Sequence, residues 1–343
     1  MRKDMMEKIC LILLFLSVSF NITYWAMAKY DVGSDFSAVS DAKYYIKMSQ
    51  SDYEGVPYRY AQRIFMPSIV GFVNNNLDLS KILPEDYEGL EKKKIQLSFG
   101  IVNIFCIAGT ALFFFYFCQE LGFSKWESLV GCFLFFTSFF VVTYYTVPLI
   151  DSMACFFVMA CFYMILKNRL FWLSICFLFG IMTKEAVFVV LLIIGLNDRT
   201  VFTKKLLVCV PGILIYIIFS KIGFVSSGHN IFGILMDLTL LKETIIMGIS
   251  SIRLYTVIET VQTFMFLWIL FLYALFKIDK PVFIKKQVLL MILPFIVPFL
   301  VRVSVVGRIA FYLFPIVIPL ALLVLREIFC FAEKIELKGN DGT

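Results

Sequence analysis

LFWLSICFLFGIMTKEAVFVVLLIIGL, residues 170–196, decides how this chain folds. Apart from Ser174 and the tripeptide Thr183-Lys184-Glu185, the stretch carries no polar side chain. A helix that crosses about 30 Å of hydrocarbon needs about 20 apolar residues. Neither half reaches that length, so the spacing predicts two short helices meeting at a charged tip at residues 183–185. A charge at that depth is expensive, and by default it lines a site or a pathway.

Further apolar stretches recur at residues 9–28, 95–118, 129–147, 149–166, 206–220, 254–276, 288–301 and 309–325. With the two halves of 170–196 they predict an all-α polytopic membrane protein of about ten transmembrane helices. Composition agrees. Of 343 residues 61% are hydrophobic and only 16% charged, with mean hydropathy +0.89. A soluble domain of that size cannot hide so much apolar surface, so a bilayer is the expected solvent. No repeat, low-complexity tract or Gly/Ser linker divides the chain, which reads as one integral-membrane domain over 1–343.

The net charge of +6 calls for no nucleic acid partner, because cytoplasmic loops of membrane proteins collect Lys and Arg. With Arg2, Lys3 and Lys8 inside, the short inner connections carry Lys125, Lys167, Arg169, Arg199, Lys204 and Lys205. Lys277, Lys280, Lys285, Lys286, Arg326, Lys334 and Lys338 follow. Both termini are then cytoplasmic, residues 29–94 form a long first extracytoplasmic loop, and 221–253 form a second. Ala26-Met27-Ala28 resembles a signal-peptidase site, but the long apolar run and the polytopic remainder favour an uncleaved anchor.

The nine cysteines lie mostly in apolar runs without a CxxC pair, and His229 is the lone histidine. Zinc, haem and iron–sulfur chemistry are therefore not expected. Threaded this way, Asp31/Asp35/Asp41, Arg59/Arg63, Asp151, Lys184-Glu185 and Arg302/Arg308 all fall on the outer side. They predict one polar cavity opening to one compartment.

In the first outer loop, Ser40 is a candidate N-cap, and Asp41, Tyr44, Tyr45 and Met48 follow at i, i+3, i+4 and i+7. This places Asp41 in the first turn of an amphipathic helix, where the helix dipole favours a carboxylate. Gly55 and Pro57 mark a turn, and Arg59 and Arg63 share one face of a second short helix. Two guanidiniums there form a clamp for phosphate oxygens.

The order of these elements resembles the GT-C superfamily of integral-membrane glycosyltransferases. The matching parts are one N-terminal span, Asp41-x-x-Tyr44-Tyr45, Arg63-x-x-x-Pro67, the Lys184-Glu185 helix pair, and Arg308 ahead of Phe314-Pro315 and Pro319. The motifs are short and degenerate, and the resemblance lies in their order and shared sidedness. It implies transfer of a sugar from a polyprenyl-phosphate donor to a glycan, lipid or protein acceptor on the extracytoplasmic face of a bacterial-type inner membrane. Carried onto this chain it makes Asp41 the leading base, then Asp35 and Asp31. Arg63, Lys184 and Arg308 become the phosphate ligands, with Glu185, Tyr44, Arg59 and Arg302 beside them. Nothing in the sequence requires a cofactor. A divalent cation, Mg or Mn, would draw on Asp31, Asp35 and Asp41, whose spacing does not place them on one helical face.

Each residue also has an ordinary explanation. Asp41 caps a surface helix, Arg59 and Arg63 anchor to headgroups, Lys184-Glu185 form structural ion pairs, and Arg302 and Arg308 snorkel. For Asp151, next to Val147-Pro148, capping its own helix is the preferred reading. Two other functions compete with transfer, a surface-polysaccharide polymerase or ligase and a lipid-linked-sugar transporter or flippase.

Overall fold

The computed structural model describes residues 2–29, 41–82, 90–197, 201–222, 242, 246, 254–292 and 306–340. Asp31, Asp35, His229, Arg302 and nearly all of the second outer loop lie outside the described residues, as does the side chain of Arg59. Every described element is helical.

In chain order the helices are α1 (Arg2–Lys29), α2 (Ala42–Ser49), α3 (Tyr58–Ala61), α4 (Phe65–Asn76), α5 (Leu90–Glu120), α6 (Lys125–Phe136) and α7 (Phe139–Thr143). Then follow α8 (Asp151–Leu166), α9 (Leu170–Thr183), α10 (Val189–Leu196), α11 (Phe202–Ile222), α12 (Leu254–Phe264) and α13 (Leu267–Lys277). The last are α14 (Val282–Gln287), α15 (Val306–Ala310) and α16 (Phe314–Asn340).

The expected ten spans are not reached among the described residues. Among the described residues three helical stretches are long and apolar enough to cross a membrane: Met5–Ala28, Lys93–Glu120 and Gly307–Phe329. A fourth arises if α12 and α13, bent by 74°, count as one. The reasons are local. Residues 129–147 split between α6 and α7, where Thr137 and Ser138 bond back to the carbonyls of Phe133 and Phe135. The stretch 149–166 yields the 16-residue α8, only about 24 Å long at the α-helical rise. α11 runs unbroken through Pro211, and 288–301 is described only as far as a 3-10 turn, Val288–Ile292. The 170–196 stretch folds as read, with α9 ending at Thr183, Lys184 in extended backbone, and a 3-10 turn, Glu185–Phe188, leading into α10.

The bundle has two chemically different ends. At one end Lys125 pairs with Glu7, Lys167 with Glu120 at 2.8 Å, and Arg326 with Glu127. These join the start of α1 to the start of α6, the end of α5 to the end of α8, and the start of α6 to the middle of α16. Hydrogen bonding from Arg326 holds the Glu127 carboxyl down at about 2, and Glu127 also completes a capping box with Ser124. Gly122 makes the preceding turn at φ +90°, a conformation costly for any side chain.

At the opposite end the first-loop helices cover a second apolar core. Tyr45, Met48, Met66, Val70, Phe99, Leu149 and Ile150 are among its buried members. Here α2 lies against α4 with Gly71 facing the Ser49 carbonyl, where a Cβ would collide with backbone. Gly71→Ala is expected to push α2 off its seat. Thermal unfolding should fall by about 1–3 kcal/mol, the usual cost of overpacking, and an unchanged midpoint would show that α2 yields without loss.

Candidate functional site

The site begins with a helix break. Asn103, fully buried in the middle of α5, donates to the Val147 carbonyl at 2.9 Å and accepts from Ser152. It thereby satisfies an irregular segment, 144–150, that no helical ladder serves. That segment starts α8 at Asp151, fully buried at 0% exposure.

Asp151 is not a cap, which corrects the preferred reading from sequence. Its Oδ1 accepts from Lys184 Nζ at 2.6 Å, Arg308 Nε at 2.8 Å and the Tyr312 hydroxyl at 3.2 Å. Its Oδ2 accepts from a second Arg308 nitrogen. Lys184 comes from the break between α9 and the 3-10 turn, Arg308 from α15, and Tyr312 from the turn after it. The Tyr144 ring lies 5.2 Å from the Arg308 guanidinium carbon, and the Tyr312 ring lies 5.6 Å from Lys184 Nζ. A carboxylate so placed needs such partners, since an unpaired buried charge is far too costly.

Next to Lys184, Glu185 turns to the outer loop. Arg63 Nε donates to Glu185 Oε2 at 2.9 Å and a terminal nitrogen donates to Oε1, a two-pronged pair. The remaining Arg63 nitrogen donates to the Tyr45 hydroxyl. All three arms of Arg63 are thus committed, so it tethers the outer loop to the helix break. Burial pushes the Tyr45 phenol well above its usual range, an effect that neighbouring Arg63 only partly offsets.

The chain of contacts then reaches Asp41. The Tyr60 ring lies 5.3 Å from the Arg63 guanidinium carbon, and its hydroxyl donates to Asp41 Oδ1 at 2.7 Å. Tyr44 stacks on Tyr60 at 4.8 Å between centroids. Asp41 occupies the N-cap position of α2, one residue earlier than the first turn expected, and its side chain makes no cap bond. A hollow of about 580 Å³ opens along the exposed face of α2, lined by Lys43, Tyr44, Lys47, Gln50 and Glu91.

Arg63, Lys184, Glu185 and Arg308 therefore meet with Asp151 in one buried cluster, and Asp41 and Tyr44 adjoin it through Tyr60. Arg59 lies on α3, without a described side chain, and Asp35 and Asp31 lie outside the described residues. Sequence reasoning put Asp151 on the cavity's side but preferred a capping role for it, and it passed over Tyr60 and Tyr312. The signal for Asp151 was its place at the head of an apolar helix, where an acid needs a partner. The two tyrosines offered none.

Among the described residues no group of three or more His, Cys, Asp or Glu side chains is placed to hold a metal ion. No family model, curated protein or solved structure matches this chain.

Proposed function

We propose that the protein is a membrane glycosyltransferase that moves a sugar from a polyprenyl-phosphate donor to a hydroxyl-bearing acceptor. The observation that carries this reading is the charge balance of the buried cluster. Among the described ion pairs of the cluster, three cations, Arg63, Lys184 and Arg308, meet two carboxylates, Glu185 and Asp151. An excess cation beside long apolar helices suits an anion whose tail stays in the bilayer. The GT-C-like order of motifs supports the same reading, as does the ion-paired, Lys-bearing opposite end, which suits the cytoplasmic side. The site then faces the extracytoplasmic side.

The reaction assigns each group a task. The Asp41 carboxylate takes the acceptor hydroxyl proton as that oxygen attacks the anomeric carbon. The bond from that carbon to the phosphate oxygen breaks, and its electron pair stays on the lipid phosphate. Lys184 and Arg308 stabilise the growing charge from fixed positions. Two of the three Arg308 nitrogens bind Asp151, and the third has no bond among the described residues. The hollow beside Tyr44 suits the acceptor.

Membranes containing the protein should transfer labelled sugar from at least one member of a polyprenyl-phosphate-sugar panel, and Arg308→Ala should abolish the product. Folded protein that transfers from none of them would remove this reading. The 74° bend between α12 and α13 favours a second one, transport, since broken helices line many transporter sites. A cysteine at position 184 labelled from the inner face in any state would point there instead.

A further inference from the structure

Glu259 on α12 is 1% exposed. Both of its carboxyl oxygens are buried without a hydrogen-bond partner, and it is the one carboxyl group in that condition among the described residues. Each unsatisfied polar group in a packed interior calls for an explanation. A carboxylate in that position would lack both water and a donor, which favours the neutral acid. A neutral acid is also a donor, and among the described residues no acceptor is placed for this one.

Its backbone sits against the helix that carries Arg308. The backbone of α12 lies directly on α15. At Gly307 a Cβ would collide with the Thr263 hydroxyl and lie 2.7 Å from the Glu259 carbonyl. Thr263 Oγ1 in turn donates to that carbonyl at 2.9 Å. This close seat fixes the Glu259 backbone against Gly307, the residue before Arg308.

Among the described residues α7 and α13 also pack on α12. α7 carries no ionisable side chain, and α13 carries Tyr273 and Lys277 in its second half. Phe264, in the last turn of α12, stacks with Phe311 at 5.7 Å, so the approach from the turn ahead of α16 is apolar.

We propose that Glu259 is a protonated carboxylic acid that donates its O–H to the phosphate bound by Arg308. The proposal rests on the donor reading above and adds a ligand group from α12. No covalent step is involved. As the sugar–phosphate bond breaks, charge grows on the phosphate oxygens, and a hydrogen bond to them strengthens. Glu259 then acts on the leaving group without a metal or a further cation.

Infrared difference spectra of the purified protein, with and without a polyprenyl phosphate, test this. The expected result is a protonated-carboxyl band at neutral pH that is absent in Glu259→Gln and shifts when the lipid phosphate binds. Glu259→Gln retains an N–H donor and should bind within about threefold of the native protein. Glu259→Ala should bind about 10- to 100-fold more weakly, as loss of a bond to a charged group predicts. A missing band, or a band unmoved by a lipid phosphate that does bind, overturns the proposal and leaves the donor reading intact. Failure of the native protein to bind any polyprenyl phosphate removes the donor reading, and the proposal with it.

Discussion

Asp151→Ala is expected to cost about 3–5 kcal/mol of folding stability, the usual effect of removing one partner from a buried ion pair. The magnitude follows from what remains. Lys184 and Arg308, 12% and 17% exposed at their side chains, would face each other without the carboxylate between them. Their repulsion acts across the contact that joins α8, the α9 break and α15, so the loss is not local. Asp151→Asn keeps the shape and one acceptor but no charge, and should fall between the two.

Thermal unfolding in detergent would measure the loss, read for the single variant and for Asp151→Ala combined with Lys184→Met. The double variant removes one orphaned cation and should recover part of the stability. A midpoint for Asp151→Ala equal to that of the native protein would show that water reaches the cluster and that Asp151 is not its hub.

Asp41→Asn is expected to lower sugar transfer about 100- to 10,000-fold, the range that a positioned general base supplies. The amide keeps an oxygen to accept from Tyr60, so α2 and the Tyr44–Tyr60 stack should hold and the unfolding midpoint should stay unchanged. Donor binding should also persist, because Lys184 and Arg308 are untouched. A loss confined to turnover, with binding and stability retained, is the signature of the proton acceptor. Asp35→Asn provides the control, as the second carboxylate of the same loop. Full transfer by both variants would end the proposed mechanism, whatever the cluster binds.

Much of this site is legible in the amino-acid sequence. Lys184-Glu185 announces itself, because two charges that interrupt an apolar run have no cheap place in hydrocarbon. The pattern Asp41-x-x-Tyr44-Tyr45 marks α2, since a short amphipathic helix follows from spacing alone. The number of spans is not legible. Hydropathy reports apolar length, and it does not report where Thr137 and Ser138 break α6 from α7, or that residues 144–150 run irregularly under Asn103.

The chain by itself determined that the protein is helical, rich in apolar segments, and charged at a few costly positions. Those follow from local chemistry, which depends on residue type and near neighbours. Tertiary structure alone decided that Arg63 grips Glu185 and that Asp151 holds both Lys184 and Arg308. These partners stand 122, 33 and 157 residues apart. A charge in an apolar interior must find a counter-charge, but nothing in the covalent sequence says which one the packing will bring within reach. The same packing made Asp151 a hub where its sequence position suggested a cap, and left Glu259 buried with no hydrogen-bond partner among the described residues.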